Sequence, residues 1–158
     1  MKLYHGTNMV FDHIDLKKSK PGKDFGPGFY LSDNMRQAKD LAQARVVLAG
    51  GVPTVLTYEF DERLLTRGEL KVLSFKDYTR EWAEFIIANR NNHTCKPAHD
   101  YDIVIGPIAN DKVGLQLWKF SNHDIDMGTL IERLKYMKGI TMQYYFGTQR
   151  AINHLMRL

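Results

Sequence analysis

The spacing of apolar and polar residues changes period several times along this chain. KLYH, residues 2–5, predicts a short strand stopped by Gly6-Thr7. Residues 8–27 are rich in Lys, Gly, Pro and Asp and predict an irregular connection. GFYLS, residues 28–32, predicts the next strand, with Ser32 or Asp33 as the N-cap of a helix. From Asn34 to Leu48 the apolar residues Met35, Ala38, Leu41, Ala42, Val46 and Leu48 recur at helical spacing, and Gly50-Gly51 ends the run.

TVLTYEF, residues 54–60, alternates and is rich in β-branched and aromatic side chains, so it predicts a strand; LKVLSF, 70–75, predicts a shorter one. DYTREWAEFIIANR, 77–90, sets Trp82, Phe85, Ile86 and Asn89 on one helical stripe with Asp77 as cap. YDIVIGPI, 101–108, is a continuous apolar run, the pattern of a strand buried on both faces. Residues 111–120 and 126–138 predict two helices, the second carrying Leu130, Ile131, Leu134 and Met137. ITMQYYF, 140–146, predicts a last strand and TQRAINHLMRL, 148–158, a closing helix.

Strands and helices are mixed without a regular βαβ alternation, so the class expected is α+β: one domain over residues 1–158, with short strands in one or two small sheets. A dinucleotide fingerprint and a P-loop are both missing, which removes support for those nucleotide folds. No apolar stretch reaches membrane-spanning length, and acids and a histidine interrupt residues 1–15 too early for a secretory apolar region. The single cysteine, Cys95, rules out an internal disulfide, so the chain reads as cytoplasmic. A net charge of +4 suits an anionic ligand but does not single out nucleic acid. KKSKPGK, residues 17–23, gathers lysines into what reads first as a solvated loop and second as a phosphate contact.

Of three further possible sites, one is discarded and two are only weakly marked. DFG at residues 24–26 matches a kinase metal triplet, but the remaining kinase motifs are absent. His93, Cys95 and His99 lie close in sequence without the paired spacing of a structural zinc site. No serine stands in a nucleophile elbow, and Cys95 has no activating context.

His5 and Tyr30 are different. A histidine at a strand end followed by Gly6 lets a ligand approach the backbone closely while the imidazole meets a hydroxyl. Tyr30, framed by Gly26 and Gly28, offers a face for an aromatic ring. Each residue alone has an ordinary structural use, a turn cap and a half-buried sheet tyrosine. Arg90, at the end of the Trp82 helix, has two uses: it can meet a pyrophosphate or form a structural salt bridge. Asn89 beside it is a further candidate.

LYHGT followed by GPGFYLSDNMRQAKDLA resembles the ADP-ribosyltransferase superfamily, in its histidine–tyrosine–glutamate branch, which includes diphtheria-toxin-like and poly-ADP-ribose-polymerase-like enzymes. It is more similar still to a bacterial family with that fold, whose pattern runs through the chain from Leu3 to Leu155. The resemblance implies a split, two-sheet α+β fold with NAD as substrate in the cleft between the sheets, and no metal. It implies that His5 contacts a ribose hydroxyl, that the Gly6 backbone pins the nicotinamide amide, and that Tyr30 stacks on the nicotinamide, with Thr7 and Gly28 beside them. The third position of the branch, a glutamate at the start of a late strand, falls on Gln143. An amide can hold the sugar hydroxyl but supplies no negative charge, so a glutamate restored at 143 is expected to raise NAD hydrolysis. Asp24 and Asp111 are the acids that can substitute, although Asp111 also suits a helix cap.

The activity implied is a mono-ADP-ribosyltransferase that passes ADP-ribose from NAD to a protein or nucleic acid, or to water as an NAD glycohydrolase. The resemblance also implies a toxin or effector role and a small neutralising antitoxin partner. Gln143 favours the alternative, a catalytically inactive module that binds NAD, ADP-ribose or another protein; His5, Gly6 and Tyr30 favour the enzyme.

Overall fold

A computed structural model describes residues 1–158. The strands are Lys2–Thr7 (β1), Phe29–Ser32 (β2), Thr54–Glu59 (β3), Val72–Ser74 (β4), Ile103–Pro107 (β5), Met142–Phe146 (β6) and Met156–Arg157 (β7). The helices are Met35–Ala49 (α1), Arg80–Arg90 (α2), Asp111–Ser121 (α3), Met127–Leu134 (α4) and Gln149–Ile152 (α5). The mixed α+β class stands. The strands form one hydrogen-bonded sheet in the order β4-β5-β6-β2-β1-β3-β7, however, rather than two. No helix is long and apolar enough to cross a membrane.

The central joint of that sheet is one residue pair long. β1 pairs with β3 from Lys2↔Glu59 to Thr7↔Thr54, and β2 pairs with β6 from Phe29↔Phe146 to Ser32↔Gln143, but β1 meets β2 only at Tyr4↔Ser32. The two halves therefore separate along most of the β1–β2 line. Both faces are covered. Ile103, Ile105 and Phe146 enter a core with Leu3, Leu31 and Phe60, whereas Val104 and Tyr145 enter a second core with Trp82, Ile86, Leu117 and Leu130. This two-sided burial is what the continuous apolar run of β5 reports: all five of its residues are buried.

Several local expectations are corrected. The N-cap of α1 is Asn34, whose side chain accepts from Arg36 N and Gln37 N; Ser32 instead supports it by accepting from Asn34 N. The N-cap of α2 is Thr79, not Asp77, and that of α3 is Asn110, with Asp111 in the first turn. Of the apolar residues read along α1, Ala38 and Ala42 are buried, while Met35, Leu41 and Leu48 are exposed. The expected closing helix is one short turn, α5, after which Met156–Arg157 pairs with the free edge of β3. An open sheet edge offers ladder hydrogen bonds that outweigh local helix preference.

Candidate functional site

The geometry at the joint follows from backbone alternation. Met1 O accepts from Phe60 N, and Thr57 O accepts from Leu158 N on the far side of β3. Alternation along the antiparallel pair turns the backbone groups of Leu3 and His5 toward β3, and those of Tyr4 and Gly6 away from it. Tyr4 meets Ser32 there, and the pairing stops before the next rung, which would join Gly6 to Tyr30. The side chain of His5 takes over that partner, since Nδ1 lies 2.7 Å from Tyr30 O. A carbonyl only accepts, so Nδ1 carries the proton and Nε2 is an acceptor.

His5 is 7% exposed. Its ring stacks on Phe29 at 4.3 Å and 27°, with Phe11 edge-on at 5.8 Å. Burial is the main reason its pKa falls to about 4, and the positive charges of Arg45 and Lys23 add to the effect against the opposing bond to Tyr30. Gly6 has a packing role of its own: a Cβ there would lie 2.1 Å from Ala38 O, so glycine lets α1 sit directly on β1.

Tyr30 is held by the loop before it. Its hydroxyl donates to Gly26 O at 2.7 Å and accepts from Phe25 N at 3.0 Å, closing a turn in which Gly26 has φ +90°. Burial raises its pKa well above that of an ordinary tyrosine, so the phenol stays protonated. The ring packs against Phe25 and Tyr145, and Lys23 Nζ stands 5.1 Å from its centroid in a cation–π contact. A planar ligand on Tyr30 therefore shares that ring with Lys23. Ser19 clips the loop at both ends of Gly28, accepting from its N–H at 2.8 Å and donating to its carbonyl at 2.9 Å. Gly28 itself has no room for a side chain, because a Cβ would come within 2.1 Å of the Tyr145 ring.

Gln143, opposite Ser32 at the start of β6, is 9% exposed. Its Nε2 donates to Asp24 Oδ2 at 3.3 Å and to Pro107 O at 3.4 Å. Behind Asp24, Arg90 Nε donates to Oδ1 at 2.7 Å. Arg90 thus forms the salt bridge and not the pyrophosphate contact, and it does not line the cleft. Asn89 is a helix residue of the second core: Nδ2 donates to Phe85 O, and its buried Oδ1 faces Gly26. Thr7 is buried in the β1–β3 ladder, and Asp111 is exposed on α3. None of these three lines the cleft. His99 is committed to Phe25 O and to Tyr101 N, and Cys95 is exposed.

Two adjoining cavities, of about 280 and 200 Å³, open at the joint. The larger lies on the α1 face and is lined by Tyr4, Gly6, Ser32, Asp24 and Gln143; the other reaches His5, Phe29 and Gly28. Lys23, Tyr30 and Arg45 line both. Lys23 belongs to the lysine segment whose second reading is a phosphate contact, whereas Arg45 carries no sequence motif. Its signal was the spacing Gln37, Leu41, Arg45, one residue per turn on the stripe of α1 next to buried Ala38 and Ala42. Burial lowers the pKa of both cations, and Arg45 lowers that of Lys23 further, so two desolvated positive groups meet where the cavities join.

Fold and site together define an α+β protein with a largely apolar cleft, lined by two cations and one carboxylate at its larger cavity, where the central sheet pairing is reduced to one rung. Over residues 1–156 the chain matches the family described as "Protein of unknown function (DUF3990)", and it belongs to that family. No curated protein and no solved structure matches it.

Proposed function

We propose that the chain is an ADP-ribosyltransferase that cleaves NAD between nicotinamide and ribose and transfers ADP-ribose to a macromolecular acceptor. One observation carries the reading. The cleft at the one-rung joint gathers His5 and Gly6 from β1, Tyr30 from β2 and Gln143 from β6, the residues to which the resemblance assigns NAD. The one-rung joint is also compatible with the split, two-sheet arrangement that the resemblance implies.

The residues suit the ligand. The adjoining cavities, of about 280 and 200 Å³, reach the range of small-molecule sites only when taken together. Gly6 turns its backbone donor and acceptor toward the side that β2 has left, where they match a carboxamide. Neutral His5 offers an acceptor to a ribose hydroxyl, Tyr30 offers its ring, and Lys23 with Arg45 complement a pyrophosphate. In the reaction the ribose C1′–nicotinamide bond breaks and nicotinamide leaves with the electron pair. The acceptor's lone pair forms the new bond to C1′ and its proton passes to solvent. Positioning and charge complementarity supply the acceleration, since no covalent enzyme intermediate is required. A toxin or effector role with a small neutralising partner rests on the resemblance alone.

The second reading, an NAD- or ADP-ribose-binding module without turnover, is favoured by the neutral side chain at Gln143. Incubating the purified chain with labelled NAD and a cell lysate tests both, with protease- and nuclease-treated arms and a His5→Ala control. Label moved to macromolecules only by the unmutated chain supports the transferase, and its sensitivity identifies the acceptor class. Free ADP-ribose alone indicates a glycohydrolase. Binding of NAD without nicotinamide release indicates the module.

A further inference from the structure

We infer that the negative charge of this site has moved from β6 to the loop before β2: Asp24 is the carboxylate that faces the reacting sugar, and Gln143 is its positioning partner. The inference rests on the NAD-cleaving reading above.

Breaking a glycosidic bond builds positive charge on the sugar, and a nearby carboxylate stabilises it. Asp24 is the sole acid lining the cavity that holds Gly6, Tyr30 and Gln143. In the adjoining cavity, Asp15 is already engaged as the cap of the short 3₁₀ turn Leu16–Lys18, accepting from Lys17 N. Asp24 is fixed on both oxygens. Arg90 donates to Oδ1 and Gln143 to Oδ2, which leaves further lone pairs for a ligand hydroxyl or for the developing charge.

The amide of Gln143 has one sensible orientation. Both neighbours of Nε2, the Asp24 carboxylate and the Pro107 carbonyl, are acceptors, so the nitrogen must face them. Oε1, which takes no hydrogen bond from the protein, is left as an acceptor for a sugar hydroxyl. A glutamate at 143 would instead set a second carboxylate against Asp24 and against a carbonyl. A second carboxylate there would repel Asp24 and lose both bonds that Nε2 donates, so the variant gains no useful charge. This reverses the expectation drawn from the sequence, in which a glutamate at 143 raises hydrolysis. It also predicts that the two positions can exchange chemistry, acid for amide.

The test is nicotinamide release from NAD by the full chain and by Asp24→Asn, Gln143→Glu and the double exchange, each with a thermal melt. The unmutated chain is expected to release nicotinamide, and Asp24→Asn to lose about 100-fold or more in kcat with KM little changed, the scale of removing one preorganised charge-stabilising group. Gln143→Glu should fall at or below the unmutated rate, and the double exchange should recover at least about tenfold over Asp24→Asn. A folded Asp24→Asn that keeps most of its kcat overturns the inference while leaving the NAD-cleaving reading intact. So does a Gln143→Glu rate above the unmutated one, or a double exchange no better than Asp24→Asn. No release by the unmutated chain overturns both. Should Asp24→Asn melt below assay temperature, the Gln143→Glu rate decides: at or below the unmutated rate supports the inference, and above it overturns the inference.

Discussion

Protonating His5 should cost folding stability, and the cost can be worked from its surroundings. Its imidazole is buried against Phe29 and Phe11, donates from Nδ1 to Tyr30 O, and feels Lys23 and Arg45. Its pKa falls from 6.5 to about 4 in the folded chain. Between those values the unfolded chain binds more protons than the folded one, so stability falls as pH drops from about 6.5 toward 4 and changes no further below. At about 1.4 kcal/mol per unit, the full loss is about 3 kcal/mol. The measurement is urea unfolding of the unmutated chain and of His5→Asn at several pH values between 4 and 7.5. Asparagine keeps a donor for Tyr30 O without titrating. The difference between the two stability curves should be flat above pH 7 and steepen toward about 1.4 kcal/mol per pH unit near pH 5. Distant titrating groups contribute equally to both chains and cancel. Parallel curves for the two chains would refute the reasoning, as would a His5 ring that titrates by NMR near 6.5.

Gly28→Ala should destabilise the fold by about 1–3 kcal/mol or more, because its Cβ would enter the buried Tyr145 ring; an unchanged melting temperature would mean that the loop can move away. Tyr30→Ala should weaken NAD binding about tenfold in calorimetry on a folded variant, and unchanged affinity would remove Tyr30 from the ligand's path. Lys23→Ala and Arg45→Ala should each weaken ADP-ribose about tenfold while leaving nicotinamide unaffected. Equal losses for both ligands would place these cations away from the phosphates.

The strands that build the cleft were legible because their patterns have one physical meaning. YDIVIGPI reads as a strand buried on both sides, and β5 is that strand. KLYH and GFYLS likewise are β1 and β2, although β1 runs on through Gly6 and Thr7. Caps were less legible, since Ser32, Asp33 and Asn34 are all good cap residues and only the chain's path selects Asn34. β7 was invisible because its cause is the empty edge of β3, far away in sequence. Within the site, His5, Gly6, Gly28, Tyr30, Gln143 and Asp24 all line the cleft. Arg90 does not, because Asp24 already holds it. Arg45 was missed because a lone arginine on an amphipathic helix looks solvated until the neighbouring strand gap is known.

A sheet that stops pairing at its centre carries an unfinished seam. The rung missing there, Gly6 to Tyr30, is one that a bound carboxamide can complete on the Gly6 side, much as an added strand extends an open edge. Such a ligand would suture the two halves and raise the melting temperature with the logarithm of its concentration above its Kd. Its grip at this point would be on main-chain atoms that every substitution at position 6 except proline retains. Changes at Gly6 would therefore be felt first through the fit of α1 on β1, and only afterwards through the ligand.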